Sequence, residues 1–135
     1  MHERRKHPRY ERVTRVDLRL AHPRGWIPAL RGNTVDVSHE GLAVALYEGE
    51  DTTQLIQSLL SEDQSVELAL ELPTTGDRIR GKGVVRWMDI GPVAAPQRYM
   101  RAGIFLREMD ESDRVKWGHF VEDTARMARQ EASAA

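Results

Sequence analysis

The sequence has no cysteine and few aromatic residues, which make up 6% of the chain. Without thiols it can form neither disulfides nor cysteine-based zinc sites, and thiol catalysis is excluded. It also has no long apolar run, because the longest, residues 42–46, is far shorter than the roughly 20 residues that span a bilayer. No apolar stretch of signal-peptide length follows the charged N-terminus. We therefore expect a cytoplasmic protein that does not insert into membranes.

Charge is nearly balanced over the chain but is uneven along it. The net charge of -1 argues against a protein that coats nucleic acid through bulk electrostatics. The N-terminal segment is basic, and its cations are Arg4, Arg5, Lys6, Arg9, Arg12 and Arg15. The 135 residues suffice for one domain with its own core. We predict a flexible basic arm (residues 1–12), a folded domain (residues 13–128) and a frayed tail (residues 129–135).

Apolar and polar residues alternate with period two through most of the chain, which predicts a mainly β, antiparallel domain. Strands are expected near residues 16–20, 27–37, 42–46, 66–72, 78–88 and 99–107. A short connecting helix is expected near residues 51–60. Because six strands of this length would otherwise leave exposed edges, we predict a six-stranded antiparallel split β-barrel.

Two elements carry tryptophans with predicted positions. The fifth strand is expected to present one face formed by Ile79, Gly81, Gly83, Val85 and Trp87. A C-terminal α-helix is expected to begin after Asp110 and to pack on the sheet through a stripe formed by Trp117, Phe120, Val121 and Thr124. The third strand has alanines opposite its larger apolar residues, so both of its faces are expected to be covered.

The basic arm contains the pattern RRxxxR, formed by Arg4, Arg5 and Arg9. Guanidinium groups bind phosphates in a bidentate manner, and they match the O6 and N7 acceptors of guanine. They also stack on aromatic bases. The arm is therefore a candidate site for a guanine nucleotide.

A second pattern, DxSxxG, lies between the second and third predicted strands and is formed by Asp36, Ser38 and Gly41. A carboxylate accepts hydrogen bonds from ring N–H and amino donors of a base. Asp36 and Ser38 are two residues apart, so on an extended backbone both project from the same face. Gly41 is expected either to adopt a positive φ or to let a ligand approach the backbone.

The combination of RRxxxR before the first strand and DxSxxG at a strand junction resembles the PilZ domain family of cyclic di-GMP receptors. The resemblance implies a PilZ-like barrel in which Arg5 and Arg9 hold the guanines and phosphates of the ligand. It implies that Asp36, Ser38 and Gly41 line the barrel surface beside that ligand. The resemblance spans approximately residues 4–121.

Two further residues receive roles from the same resemblance. An arginine at the position of Arg4 is similar to family versions that take an intercalated cyclic di-GMP dimer. Trp87 matches a strand position that adjoins the nucleotide in some relatives, although tryptophans at strand spacing also serve only in packing. The implied function is that of an adaptor whose arm changes conformation on ligand binding and relays the signal to an unidentified downstream protein in motility, biofilm or exopolysaccharide control.

Other functions fit the sequence less well. The five histidines include no HxxxH or HxH pair, and no phosphate-binding glycine-rich motif is present, so we predict no enzyme activity, no metal and no cofactor. A small barrel that binds single-stranded nucleic acid remains an alternative, but such proteins stack bases on aromatic residues, which are scarce here. A ligand-independent PilZ module that only contacts other proteins is a further alternative, although such a module is expected to have lost its arm arginines or DxSxxG residues.

Overall fold

The computed structural model of the chain describes residues 8–22, 25–26, 30–47, 65–73, 75–90 and 99–134. Its elements are β1 (Tyr10–Glu11), β2 (Arg15–His22), β3 (Gly25–Trp26), β4 (Leu30–Ser38), β5 (Gly41–Tyr47), β6 (Ser65–Glu71), β7 (Arg78–Ile90), β8 (Tyr99–Glu108) and the helix α1 (Glu111–Ala134). Arg4, Arg5 and the predicted connecting helix lie outside the described residues, as does the start of the predicted second strand.

The six long strands form a closed antiparallel barrel, which confirms the predicted fold class. Each strand pairs with the next in the order β4, β5, β8, β7, β6 and β2, and β2 pairs with β4 to close the ring. The short strands β1 and β3 extend this sheet. Antiparallel pairing lets one face of each strand enter the core while the other remains outside.

The core fills the barrel with the inward side chains that the alternating pattern predicts. In β6, Val66, Leu68 and Leu70 are buried, whereas Ser65 and Glu71 are exposed. The strand β5 differs, because Ala43 and Ala45 are buried as well as the inward Leu42, Val44 and Leu46. The prediction that both faces of this strand are covered is therefore confirmed.

The helix α1 packs its apolar stripe against the barrel core. Trp117, Phe120 and Val121 are buried members of the core cluster, and Thr124 is also buried. The amide of Arg114 donates to the Asp110 carbonyl, which fixes the first turn. The helix continues to Ala134 and so includes most of the segment predicted as a frayed tail (residues 129–135). No helix within the described ranges is both long and apolar enough to cross a membrane.

Of the register shifts in the described strands, two determine which side chains of β4 and β7 reach the outside of the barrel at the candidate site. The register shifts between Thr34 and Asp36 in β4, and again between Val85 and Trp87 in β7. An extra residue reverses the inside-outside phase of everything after it. As a result Trp87 does not share the inward face of Val85, which contradicts the predicted single face of this strand. Met88 takes the inward position instead and packs against the core.

Candidate ligand-binding site

The outward faces of β4, β5, β8 and β7 form one continuous surface, called here the outer wall. Its central row is set by strand register: Asp36 pairs with Ala43, Ala43 with Gly103, and Gly103 with Trp87. Strand spacing places the two ends of this row about 14 Å apart. The row therefore has a carboxylate at one end, an indole at the other and only small residues between them.

The two bulges lie at opposite ends of this row. Without the bulge in β4, Asp36 would share the inward face of the buried Thr34. Without the bulge in β7, Trp87 would share the inward face of Val85. Bulges often re-aim side chains next to functional sites. Here they bring Asp36 and Trp87 to the same surface, although neither would face it in uninterrupted strands.

The arm reaches the outer wall through Arg9. Its Nη1 lies 3.7 Å from Oδ1 of Asp36, and both side chains are only partly exposed, at 21% and 24%. At this distance the two groups form an ion pair but not a hydrogen bond. Among the described residues, nothing donates a hydrogen bond to this buried Oδ1. Because leaving a buried carboxylate oxygen without a donor is unfavourable, Asp36 is a receptive site for an N–H donor.

Backbone pairing holds the end of the arm in this position. Tyr10 pairs with Val37 and Glu11 with Asp36, so β1 runs antiparallel to the end of β4. The segment then stays attached to β4, since the amide of Arg12 donates to the Val35 carbonyl at 3.2 Å. In its described part, residues 8–12, the arm that is predicted to be flexible therefore lies against β4.

A buried threonine secures the segment between β1 and β2. The Thr34 hydroxyl accepts from the amide of Thr14 at 2.9 Å and donates to the carbonyl of Arg12. The amide of Thr34 donates to the Thr14 carbonyl at 2.8 Å. The buried Thr34 side chain therefore satisfies backbone groups of both Arg12 and Thr14, in the segment that connects β1 to β2.

Ser38 and Gly41 close the hairpin between β4 and β5 rather than lining an open surface. Ser38 is 2% exposed, and its hydroxyl donates to the Gly41 carbonyl at 3.3 Å. Trp117 of α1 donates its indole N–H to the Ser38 carbonyl at 3.1 Å. Register places Ser38 on the same face of β4 as Asp36, but in this structure its hydroxyl has a structural partner.

Gly41 is needed because two strands approach closely. A Cβ atom at this position would lie 2.0 Å from the carbonyl oxygen of Ile104 in β8, and no real side chain tolerates that distance. A positive φ is not the reason, since Gly76 is the glycine with positive φ among the described residues. The first of the two predicted explanations for Gly41 is thus wrong, and the close approach involves a neighbouring strand.

The Trp87 indole lies directly against Gly103, where a Cβ atom would be 2.0 Å from the indole Nε1. Next to it, the guanidinium of Arg86 stacks over the Phe105 ring at 5.2 Å from its centroid. Sequence reasoning missed the Arg86–Phe105 pair. A signal for the neighbouring bulge was available in the sequence, because the apolar Met88 directly after Trp87 interrupts the alternation.

Cavities are also present outside the central row. One of about 400 Å³ borders the β4–β5 turn and the start of α1, and it is lined by His39, Glu40, Phe105, Leu106, Arg114, Trp117 and Gly118. Another of about 650 Å³ lies on the opposite side of the barrel, over β2, β6 and β7. It contains no predicted site residue. Within the described ranges, no group of histidine, aspartate and glutamate side chains could hold a metal ion.

Comparisons with known proteins agree on the fold. The family model described as PilZ domain matches residues 3–123. The PilZ domain of YcgR from Escherichia coli, in a structure with c-di-GMP, has a TM-score of 0.69 and 13% sequence identity, over 98% of this chain and 100% of that one. No protein of curated function matches the chain in a sequence search.

Two longer proteins are similar over half of their length. MotI/DgrA of Bacillus subtilis, an inhibitor of motility, has a TM-score of 0.66 and 19% identity, over 96% of this chain and 53% of that one. The MrkH–c-di-GMP complex of K. pneumonia has a TM-score of 0.69 and 18% identity, over 96% of this chain and 56% of that one. The chain thus spans about half the length of MotI/DgrA and MrkH.

Proposed function

This chain belongs to the PilZ domain family, and from that premise we propose that it is a cytoplasmic receptor for cyclic di-GMP with no enzymatic activity of its own. The observation that carries the proposal is the meeting of Arg9 and Asp36 on the outer wall. These residues come from the two separate patterns, RRxxxR and DxSxxG. At one place they combine a hydrogen-bond donor, Arg9, with an acceptor, Asp36. The binding of c-di-GMP by similar structures supports the same ligand.

In this proposal a guanine of the ligand takes the place between Arg9 and Asp36. The guanidinium of Arg9 donates to the guanine O6 and N7 acceptors or to a ligand phosphate. Asp36 accepts from the guanine ring N–H and amino group, which gives its buried Oδ1 the donor that it lacks among the described residues. Arg5 provides the second guanidinium of the arm, and Arg4 favours an intercalated ligand dimer over a single ligand.

Ser38 and Gly41 contribute by fixing the hairpin that carries Asp36. Their hydrogen bond and the contact with Trp117 hold the end of β4 in place. The Ser38 hydroxyl can still accept a hydrogen bond from the ligand while it donates to Gly41. This assignment keeps the predicted site and gives two of its members a positioning role.

Ligand binding favours the arm docked on the barrel, because Arg9 then holds the ligand that also contacts Asp36. We expect the arm to have at least two arrangements whose populations the ligand shifts. The domain then acts as an adaptor, and a downstream protein in motility, biofilm or exopolysaccharide control distinguishes the two arrangements. The similarity to an inhibitor of motility is consistent with that output.

Calorimetric titration with cyclic di-GMP tests the proposal, and cyclic di-AMP is the matched control. Both ligands have the same ring of sugars and phosphates, but adenine lacks the O6 acceptor and the ring N–H donor that Arg9 and Asp36 would recognise. We expect heat of binding with cyclic di-GMP alone. A fitted ratio of ligand to protein separates a single ligand from the dimer. Absence of heat with cyclic di-GMP, or equal binding of both ligands, would contradict the proposal.

Replacing Trp87 with alanine is expected to weaken cyclic di-GMP binding by about tenfold, because stacking of a base on an aromatic side chain contributes roughly 1–3 kcal/mol. The melting temperature should change little, since Trp87 lies on the outer wall and not in the core. The control Trp87→Phe keeps an aromatic face and should retain most of the affinity. A large fall in melting temperature with unchanged affinity would assign Trp87 to packing alone.

A further inference from the structure

The segment that carries Arg9 has two faces with different neighbours. In an extended chain, successive side chains point to opposite sides. Arg9 meets Asp36 at the outer wall, and Glu11 is exposed on that same side. Tyr10 and Arg12 face the other way, where Tyr10 packs against the barrel core. The inward face of this segment is therefore anchored beside the helix α1, which contacts β1.

Arg12 makes the most specific of these contacts. Its guanidinium lies over the ring of the buried Phe120, 5.4 Å from the ring centroid. Its Nη1 also donates to the sulfur of Met127 at 3.0 Å. Both partners belong to α1, where they lie about two helical turns apart. The sequence places Arg12 in the arm predicted as flexible, whereas in the structure it contacts the helix α1.

We propose that Arg12 is a positioning residue for ligand binding, which anchors the arm to α1 and thereby holds Arg9 at Asp36. This inference rests on the proposed function, since it concerns the same cyclic di-GMP site. Arg12 does not contact the ligand in this arrangement, because its side chain points away from the outer wall. It acts by fixing the backbone of residues 10–12, which directly follow Arg9.

The physical argument is one of preorganisation. A charged side chain that is already held in its binding geometry loses less conformational freedom when the ligand arrives, so affinity rises without a new contact. The anchor is strong enough for this, because a partly desolvated cation–π contact adds to the backbone hydrogen bond from Arg12 to Val35. Since linkage is reciprocal, ligand held by Arg9 should also stabilise the contact between the arm and α1.

A double-mutant cycle with cyclic di-GMP separates positioning from direct contact. Arg12→Ala is expected to weaken binding by about tenfold in the wild-type background. In an Arg9→Lys background, where the guanidinium to be positioned is gone, the same change should cost less than about twofold. Equal losses in both backgrounds would mean that Arg12 acts independently of Arg9, and no loss in the wild type would mean that it has no role. Either result overturns the proposal.

Two further variants complete the experiment. Arg15→Ala removes the same charge from a neighbouring side chain that is 58% exposed, and it should change affinity by less than about twofold. Arg12→Lys keeps a cation that can sit over Phe120 but loses the planar guanidinium, so it should restore part of the affinity. If Arg15→Ala weakened binding as much as Arg12→Ala, net charge and not position would explain the effect.

A measurement without ligand keeps this inference distinct from the proposed function. Hydrogen exchange of the Arg12 amide, which donates to Val35, should be faster in Arg12→Ala than in Arg15→Ala. If the wild-type chain binds no cyclic di-GMP, the proposed function fails, and this exchange experiment alone decides whether Arg12 anchors the arm. Unchanged exchange in Arg12→Ala would overturn the anchoring itself.

Discussion

Replacing Arg9 with alanine is expected to reduce cyclic di-GMP affinity by at least about 100-fold, because hydrogen bonds to charged groups contribute roughly 1.5–3 kcal/mol each and Arg9 would make two of them. The loss also leaves Asp36 without its neighbouring cation. Stability should hardly change, since a partly exposed ion pair is worth about 0–1 kcal/mol. Titration calorimetry gives the affinity, and thermal unfolding without ligand gives the stability.

The matched variant Arg9→Lys retains the charge but not the planar fork that binds phosphate or guanine edges. We expect it to bind more weakly than the wild type and more tightly than Arg9→Ala. The double variant Arg5→Ala and Arg9→Ala should abolish measurable binding while the unliganded chain keeps its melting temperature. Retention of full affinity in Arg9→Ala would remove the arm from the site, whatever the ligand proves to be.

Replacing Trp117 with alanine is expected to produce the largest loss of stability. Trp117 is 2% exposed and joins α1 to the barrel core, and removal of a buried tryptophan side chain costs about 3–5 kcal/mol. For a chain of this size we expect the melting temperature to fall by about 10–20 °C. Thermal unfolding followed by circular dichroism measures this change.

Trp117→Phe isolates the hydrogen bond to the Ser38 carbonyl from the packing. Phenylalanine keeps most of the apolar surface but leaves that buried carbonyl without its indole donor, at a cost of about 1–3 kcal/mol. Because Ser38 belongs to the hairpin that carries Asp36, the variant should also weaken ligand binding. If Trp117→Ala unfolds no earlier than the wild type, α1 does not contribute to the core as the structure indicates.

The alternation of side chains was sufficient to predict the barrel, because each long strand has one face in the core. The strand β6 shows this plainly, since every second residue is buried. The closing helix was equally predictable, since a stripe at helical spacing contains Trp117, Phe120 and Val121. In both cases the burial of one face determines the pattern, so the pattern indicates the structure.

The meeting of Arg9 and Asp36 was predictable, but the geometry that brings them together was not. The resemblance to a family named Arg9 and Asp36, whereas alternation alone could not place Asp36 outside the barrel, because a bulge reverses the phase after Thr34. For the same reason, alternation alone placed Trp87 on the inward face of its strand, whereas the bulge in β7 turns it outward. A bulge adds one residue to one strand only, and its position depends on the partner strand, which a single strand's pattern does not contain.

The anchoring of the arm was not predictable for a related reason. Arg12 lies in a charged stretch whose composition is typical of a solvated segment. Its partners, Phe120 and Met127, are more than a hundred residues away. Only the closed barrel brings the helix back to the start of the chain.

Because β1 pairs with the end of β4, a chain shortened to begin at residue 13 would lose more than its arginines. The backbone groups of Asp36 and Val37 that face β1 would become an open sheet edge. Such an edge is a template on which another polypeptide can add a strand. Self-association of a truncated protein would then reflect this unprotected margin and would say nothing about the natural oligomer.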